Sequence, residues 1–456
     1  MKIFISYSYK DKNYAEKILS ALNDAGHDVR TDNLQINYGS NLLSQFSEVI
    51  KSVDIVILLI SKNFFNSKKL MKEFSAIVFT EISKGNSRII LVLIDEVNIP
   101  NYLLENRCFN FSDDFDRGLE SLLESFNDNI NKIESTDNFK CSAEVRNKKT
   151  TNIYDIKLIS KALREGCLTL VCGAGISMGA GLPSWNRLLL QLLKLMVDRI
   201  SDNYNIQLDD DSAEEFNNKY FPSSLILGRY LKMNLGEDFL NEVRNTLYTT
   251  NVNTSETINE IVNLARPQRD RKPLDSIITF NFDTLIEENL EKQNVSFKSI
   301  FSDGMKNDSN EMPIYHVHGY LPRTGEIPED TDIVFSEDAY HNQFIEPFSW
   351  SNLIQLNKLH QNTCLFIGIS LTDPNLRRLL DVANRKNVNK NLNHYIIKRV
   401  PENYNKDNKI DKLAFFLEEQ DANDLGLNVI WVDKFSEIPK ILRKIYNGEA
   451  IDVKKI

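Results

Sequence analysis

Hydrophobic and polar positions along the chain switch between two periods. Lys2–Ser6 is a short apolar run of strand length, and Asn13–Ala25 follows with Tyr14, Ile18, Leu19 and Leu22 at helical spacing on one face. Val29–Thr31 reads as a second strand, Leu42–Ile50 as a helix, Asp54–Ile60 as a strongly apolar strand, Leu70–Ser83 as a helix and Arg88–Ile94 as a further strand. Parallel neighbours need a crossover between them, so strands that alternate with helices predict a parallel sheet covered by helices.

The pattern breaks over Asn127–Asn152, a stretch rich in Asn, Lys, Asp, Ser and Thr with few large apolar residues. It predicts a first domain at residues 1–130, a polar linker at 131–152 with some helix at the start of the stretch, and a second domain at 153–456. The second domain alternates again. Its expected strands are Leu168–Cys172, Ser276–Phe280, Ile314–Val317, Cys364–Ile369, Tyr395–Lys398 and Asn428–Val432. Between Trp185 and Arg266 the period is helical, clearest at Leu188–Ile200, which predicts a helical insertion over about residues 186–270. The residues after Asn447 are expected to fray.

A chain of 456 residues exceeds one ordinary core and fits two or three domains. Its 42% hydrophobic and 26% charged residues, with 25 Phe and 16 Tyr, are those of a folded soluble protein. A net charge of −10 argues against a dominant nucleic-acid surface. No apolar run approaches the roughly 20 residues of a membrane helix. Met1–Phe4 runs straight into a strand pattern without signal-peptide architecture, so a cytoplasmic location is expected. The cysteines are Cys108, Cys141, Cys167, Cys172 and Cys364, an odd number with no Cys-x-x-Cys pair. That pattern predicts neither a disulfide framework nor a cysteine zinc site, and no metal is expected.

Chemistry-bearing residues fall into four segments of the second domain. Leu168–Trp185 runs from an apolar strand into Gly173, Ala174 and Gly175, then Ser177, Gly179, Gly181 and Trp185. Glycine lets backbone turn sharply and approach a phosphate, and a following helix offers free N–H groups. Thr279-Phe-Asn281-Phe-Asp283 ends the next strand, and Asn281 there also has the position of a helix cap. His316 and His318 lie two apart before Gly319, so side-chain alternation alone cannot choose between them. Gly368 and Ser370 precede Asp373-Pro374-Asn375, where Ser370 or Asp373 also suits a cap.

These segments, in this order, resemble the sirtuins, particularly the branch found in bacterial defence proteins, over roughly Ile153–Tyr446. The resemblance implies a Rossmann-like fold with NAD⁺ as substrate. The family places its catalytic histidine immediately before glycine, which selects His318 and leaves His316 structural. Asn281 and His318 are thereby catalytic and Asp283 positions the nicotinamide. Gly173, Ala174, Gly175, Ser177, Gly181, Trp185, Thr279, Gly368, Ser370 and Asp373 fall at nucleotide-binding positions. The chemistry suits these types. Nicotinamide is already a cationic leaving group, so what is needed is stabilisation of an oxocarbenium-like ribose and delivery of a nucleophile. An imidazole titrating near neutrality can take the proton of the attacking hydroxyl or water. Two departures weaken a deacetylase reading: the four-cysteine zinc module is missing, and Asn186 stands where an arginine is usual.

The first domain resembles TIR domains over residues 1–126, with an implied flavodoxin-like sheet. Lys2–Ser8 with Asp11 matches the opening box, and Ala25–Val29 with Asp32 the second strand. Tyr38–Leu42 matches the mobile loop, and Ser61–Ser67 with Glu73-Phe74 the segment carrying the catalytic glutamate of NAD⁺-cleaving members. Lys69 replaces the tryptophan often found before that glutamate. Catalysis at Glu73 and self-association or sensing near Tyr38–Leu42 both stay open.

Together the resemblances, which extend to Thoeris-type effectors, imply an NAD⁺ glycohydrolase of bacterial antiphage defence. The sirtuin-like part would deplete NAD⁺, and the TIR-like part would sense or assemble. They also imply a homo-oligomer through either domain and an unknown phage or nucleotide trigger, with no membrane partner. The alternatives are a TIR-like enzyme forming a cyclic or linear ADP-ribose signal that the sirtuin-like part reads, an NAD-dependent protein deacylase, and a non-enzymatic NAD⁺-sensing scaffold.

Overall fold

The computed structural model describes residues 1–31, 52–65, 70, 89–95, 97, 106–127, 148–204, 211–220, 223–249, 254–267, 273–329, 331–387, 392–405 and 408–448. They form two compact units. One comprises Met1–Tyr154 with Pro401–Gln420, and the other Asp155–Val400 with Asp421–Ile456.

The first unit holds a sheet of β1 (Lys2–Ser6), β2 (Asp28–Thr31), β3 (Ile55–Ile60), β4 (Ile89–Leu93) and β5 (Arg107–Asn110). Its order is β2-β1-β3-β4-β5 with every pairing parallel. This is the flavodoxin-like arrangement. The middle strands IVILLI and IILVL are continuous apolar runs because helices cover both faces of a parallel sheet. Helix Lys12–Asp24 buries Ala15, Ile18 and Leu22, a spacing of three to four residues, against Ile3, Ile5, Ile57 and Leu59. β5 was not expected from the sequence. It is a short edge strand, RCFN, with a single fully buried side chain. The helices expected at Leu42–Ile50 and Leu70–Ser83 fall on residues that, apart from Leu70, lie outside the described ones.

The second unit holds β6 (Leu168–Cys172), β7 (Ser276–Thr279), β8 (Phe297–Ile300), β9 (Met312–His316), β10 (Thr363–Ile367), β11 (His394–Arg399) and β12 (Leu427–Val432). They pair in the order β12-β11-β10-β6-β7-β9-β8, again all parallel. The chain starts at β6, adds β7, passes to the edge for β8, fills the gap between them with β9, then returns to lay down β10, β11 and β12 on the other side. The order therefore reverses between β6 and β10, and such a switch point opens a crevice beyond the C-terminal strand ends. β8, at the edge, was also missed, because FKSI is mostly half-buried and lacks an apolar run. Helices at Trp185–Tyr204, Ser212–Tyr220, Ser224–Leu235, Phe239–Leu247 and Glu256–Ala265 separate β6 from β7.

The polar linker ends earlier than its composition suggests. Lys148–Asn152 already belong to the helix Lys148–Glu165, which buries Ile156, Ile159 and Leu163. No helix among the described residues is long and apolar enough to cross a membrane.

Candidate functional site

At the switch point two turns cross backbone to backbone. β6 ends at Cys172, and the Gly173 N–H donates to the Ile367 carbonyl at 3.0 Å. The Gly175 N–H donates to the Gly368 carbonyl at 3.1 Å. A Cβ on Gly173 would lie 2.5 Å from Gly368 O, and one on Gly175 2.8 Å from Gly368 Cα. Gly368 itself has φ +69°, a conformation side chains resist. These glycines are thus demanded first by each other. Ala174 and Gly175 remain exposed at the crossing.

Beside this crossing sits a buried polar cluster from β7. The Thr279 hydroxyl accepts from the Asn281 N–H at 3.1 Å. Asn281 Nδ2 donates to Gly173 O at 3.1 Å and to Ser177 Oγ at 3.0 Å. Ser177 Oγ in turn donates to Asp283 Oδ2 at 2.7 Å, and Asp283 Oδ1 accepts the Leu285 N–H at 3.1 Å. Burial pushes the Asp283 carboxyl above its ordinary range, and the Ser177 and Leu285 hydrogen bonds oppose this.

The two histidines part company because β9 ends at His316. His316 is fully buried. Its Nδ1 lies 3.2 Å from the Asn281 carbonyl and its Nε2 2.5 Å from Glu287 Oε1. A carbonyl can only accept, so Nδ1 is the nitrogen that donates to Asn281, and Nε2 faces the Glu287 carboxyl. His318 stands beyond the strand end. Its Nε2 lies 3.3 Å from Asp373 Oδ2, and its ring meets Phe280 and Tyr340 edge to face at 4.6 and 5.9 Å. Burial lowers the His318 pKa from its ordinary value, with Asp373 opposing, and so favours the neutral imidazole.

The folded chain thus gathers Gly173, Ser177, Thr279, Asn281, Asp283 and Gly368 at adjoining strand ends, with His318 and Asp373 meeting beyond β9 and β10. Gly175 joins it through its bond to the Gly368 carbonyl, whereas Trp185, Gly181 and Ser370 stand apart from it. Trp185 packs against Phe282 and Phe335 at 6.3 and 4.8 Å, on the core side of the Asn281–Asp283 segment. Gly181 is exposed with φ +89°, and exposed Ser370 bonds Thr372 at 2.7 Å. Asp373 does cap the helix Pro374–Lys386, its Oδ1 accepting the Leu376 N–H at 2.6 Å. Among the described residues no cluster of His, Cys, Asp and Glu is placed to hold a metal ion.

The family described as TIR domain matches residues 3–123, and that described as SIR2-like domain matches residues 275–421. The chain joins a TIR domain to a SIR2-like domain. The SIR2-like region is similar to the NAD(+) hydrolase ThsA of Enterococcus faecium, with 27% identity over 308 residues, 64% of this chain and 57% of that protein. The namesake protein of Bacillus cereus is 24% identical over 306 residues, 64% of this chain and 56% of that protein. The chain therefore spans little more than half the length of these curated relatives.

Sequence reasoning missed two residues of the SIR2-like domain, Glu287 and Tyr340. Glu287 reads as one more acid in the first turn of helix Leu285–Lys292, yet it is buried against His316. Tyr340 lies in helix Glu337–Ile345 without any motif, yet its hydroxyl donates to Asp373 Oδ2 at 2.6 Å. In the TIR domain, Glu73, Lys69, Asp32 and Tyr38–Leu42 lie outside the described residues. Asp11 of its opening box is buried and accepts from Ser61 Oγ at 2.5 Å and Asn63 Nδ2 at 2.7 Å.

Ser177 is the hinge of the polar cluster, accepting from one catalytic candidate and donating to another. Ser177→Ala should cost about 1–3 kcal/mol, because it leaves a buried carboxyl and a buried amide each one partner short. Tryptophan fluorescence during urea unfolding reads this directly, since Trp185, Trp350 and Trp431 all belong to the second unit. A loss below about 0.5 kcal/mol, the range of an ordinary surface change, would mean that solvent already satisfies the cluster.

Proposed function

We propose that the SIR2-like domain hydrolyses NAD⁺ at the nicotinamide–ribose bond. One observation carries this reading: an imidazole, an amide, a carboxyl and a glycine crossing stand at the C-terminal ends of β9, β7, β6 and β10 around a topological switch point. The name NAD(+) hydrolase of the similar proteins supports it. Asn281 would orient the ribose hydroxyls or the water, and Asp283 the nicotinamide carboxamide. The C1′–N bond breaks and its electron pair leaves with neutral nicotinamide. Water adds to C1′, and the proton it releases passes to His318, giving ADP-ribose. Orientation and fixed dipoles at the developing cation do most of this work.

The proposal extends to NAD⁺ depletion in the cytoplasm during antiphage defence. There the TIR domain serves sensing or assembly, the chain acts as a homo-oligomer, and a phage component or nucleotide is the trigger. Chromatography of NAD⁺ incubated with the full-length protein tests the chemistry. Nicotinamide and ADP-ribose should appear in equal amounts from the wild type and Glu73→Ala, and not from Asn281→Ala. The reverse result for the two variants would move catalysis to the TIR domain. Turnover that requires an acylated peptide would make the protein a deacylase. Saturable binding without turnover, even in the assembled state, would make it a sensor.

A further inference from the structure

We infer that Asp373, braced by Tyr340, is the positioning residue of His318. This rests on the hydrolase reading above. The sequence offers Asp373 as a nucleotide-binding position or a helix cap, and neither role explains its second oxygen. Oδ1 caps the helix Pro374–Lys386 through the Leu376 N–H at 2.6 Å. Oδ2 is aimed the other way, receiving the Tyr340 hydroxyl at 2.6 Å and standing 3.3 Å from His318 Nε2. The carboxylate is fixed from both sides, by a helix terminus and by a tyrosine from helix Glu337–Ile345. Asp373 and Tyr340 are the titratable groups that face the His318 ring among the described residues, and Phe280 closes a third side.

A fixed carboxylate at Nε2 holds the imidazole hydrogen there and leaves Nδ1 as the basic nitrogen. It also stabilises the imidazolium formed when Nδ1 takes the proton of the attacking water. The 3.3 Å separation suits such a pair, since contacts of this kind tighten when substrate is bound. Tyr340 is kept protonated, its hydroxyl pushed upward by burial and by the carboxylate it serves, so it donates across the working pH range. Removing the aspartate charge takes away the one influence that raises the His318 pKa.

The test uses Asp373→Asn in the full-length protein, which keeps a side-chain oxygen for the helix cap, with Tyr340→Phe beside it. For Asp373→Asn, kcat for NAD⁺ should fall about 100-fold, the low end of what a general base supplies. KM should change less than about threefold, and the acid limb of the pH profile should move to lower pH. Tyr340→Phe should lower kcat in the same way at smaller amplitude, with KM again little changed. A raised KM with unchanged kcat and an unmoved limb would return Asp373 to nucleotide binding and overturn the inference. Histidine-selective NMR titration separates this from failure of the hydrolase reading. The His318 resonance, assigned by its loss in His318→Ala, should titrate at lower pH in Asp373→Asn. If it does so while no form of the protein cleaves NAD⁺, the pairing stands and the hydrolase reading falls. If it does not move, the pairing itself is refuted.

Discussion

His318→Ala is expected to lower the proposed NAD⁺ cleavage by the full-length protein about 10²–10⁴-fold, the usual contribution of a positioned base. The expectation rests on placement. The ring is only 7% exposed, clamped between Phe280, Tyr340 and Asp373, so no solvent group can take over its role. Burial is the larger influence on its pKa and lowers it. The base must be neutral to act, so wild-type activity should persist through neutral pH and fall toward acid, with its limb displaced below that of an ordinary imidazole. His318→Gln, which keeps polarity without basicity, should be as inactive as the alanine variant, with KM little changed in both. Steady-state kinetics between pH 5 and 8 check both points. Activity within tenfold of wild type for either variant would remove His318 from the chemistry.

The second large effect is on folding. Gly319→Ala is expected to destabilise the second unit by about 2–6 kcal/mol, from backbone strain of about 1–3 kcal/mol plus overpacking of similar size. Gly319 has φ +113°, and a Cβ there would lie 2.6 Å from the Asp332 carbonyl and 2.9 Å from Ile333 Cα. The neighbouring backbone is pinned, since the Val334 N–H donates to His318 O at 2.8 Å. Gly304→Ala provides the comparison. It has φ +77° but nothing within 4 Å of an added Cβ, so it should cost only the strain, about 1–2 kcal/mol. Urea unfolding followed by tryptophan fluorescence measures both. Equal losses would mean that the segment before Val334 yields freely, and the tight approach at Gly319 would carry no cost.

Much of this architecture could be read from the chain, and the exceptions share a cause. Central strands announce themselves because burial on both faces leaves almost nothing but Ile, Leu and Val in them, as in Ile55–Ile60. The edge strands Arg107–Asn110 and Phe297–Ile300 carry mixed residues because one flank meets solvent, so no pattern marks them. At the site, Asn281, Asp283 and Ser177 were visible because motif and strand end coincide. The His316–Glu287 contact spans 29 residues and the Tyr340–Asp373 bond 33, and only tertiary packing creates such pairs. The fate of the two histidines was legible only in part. Alternation treats them as equivalent, but the strand stops at His316, and the left-handed glycine that follows turns His318 out of the ladder.

The helices between Trp185 and Ala265 leave the sheet after β6 and re-enter it at β7, and those two strands are hydrogen-bonded neighbours. A detour of that kind is anchored at both ends by one parallel pair. Its interior can lengthen, shorten or change its outer face over evolutionary time while Ser177 and Asn281 keep their separation. The excursion is accordingly where length and outer surface can vary without moving the polar cluster.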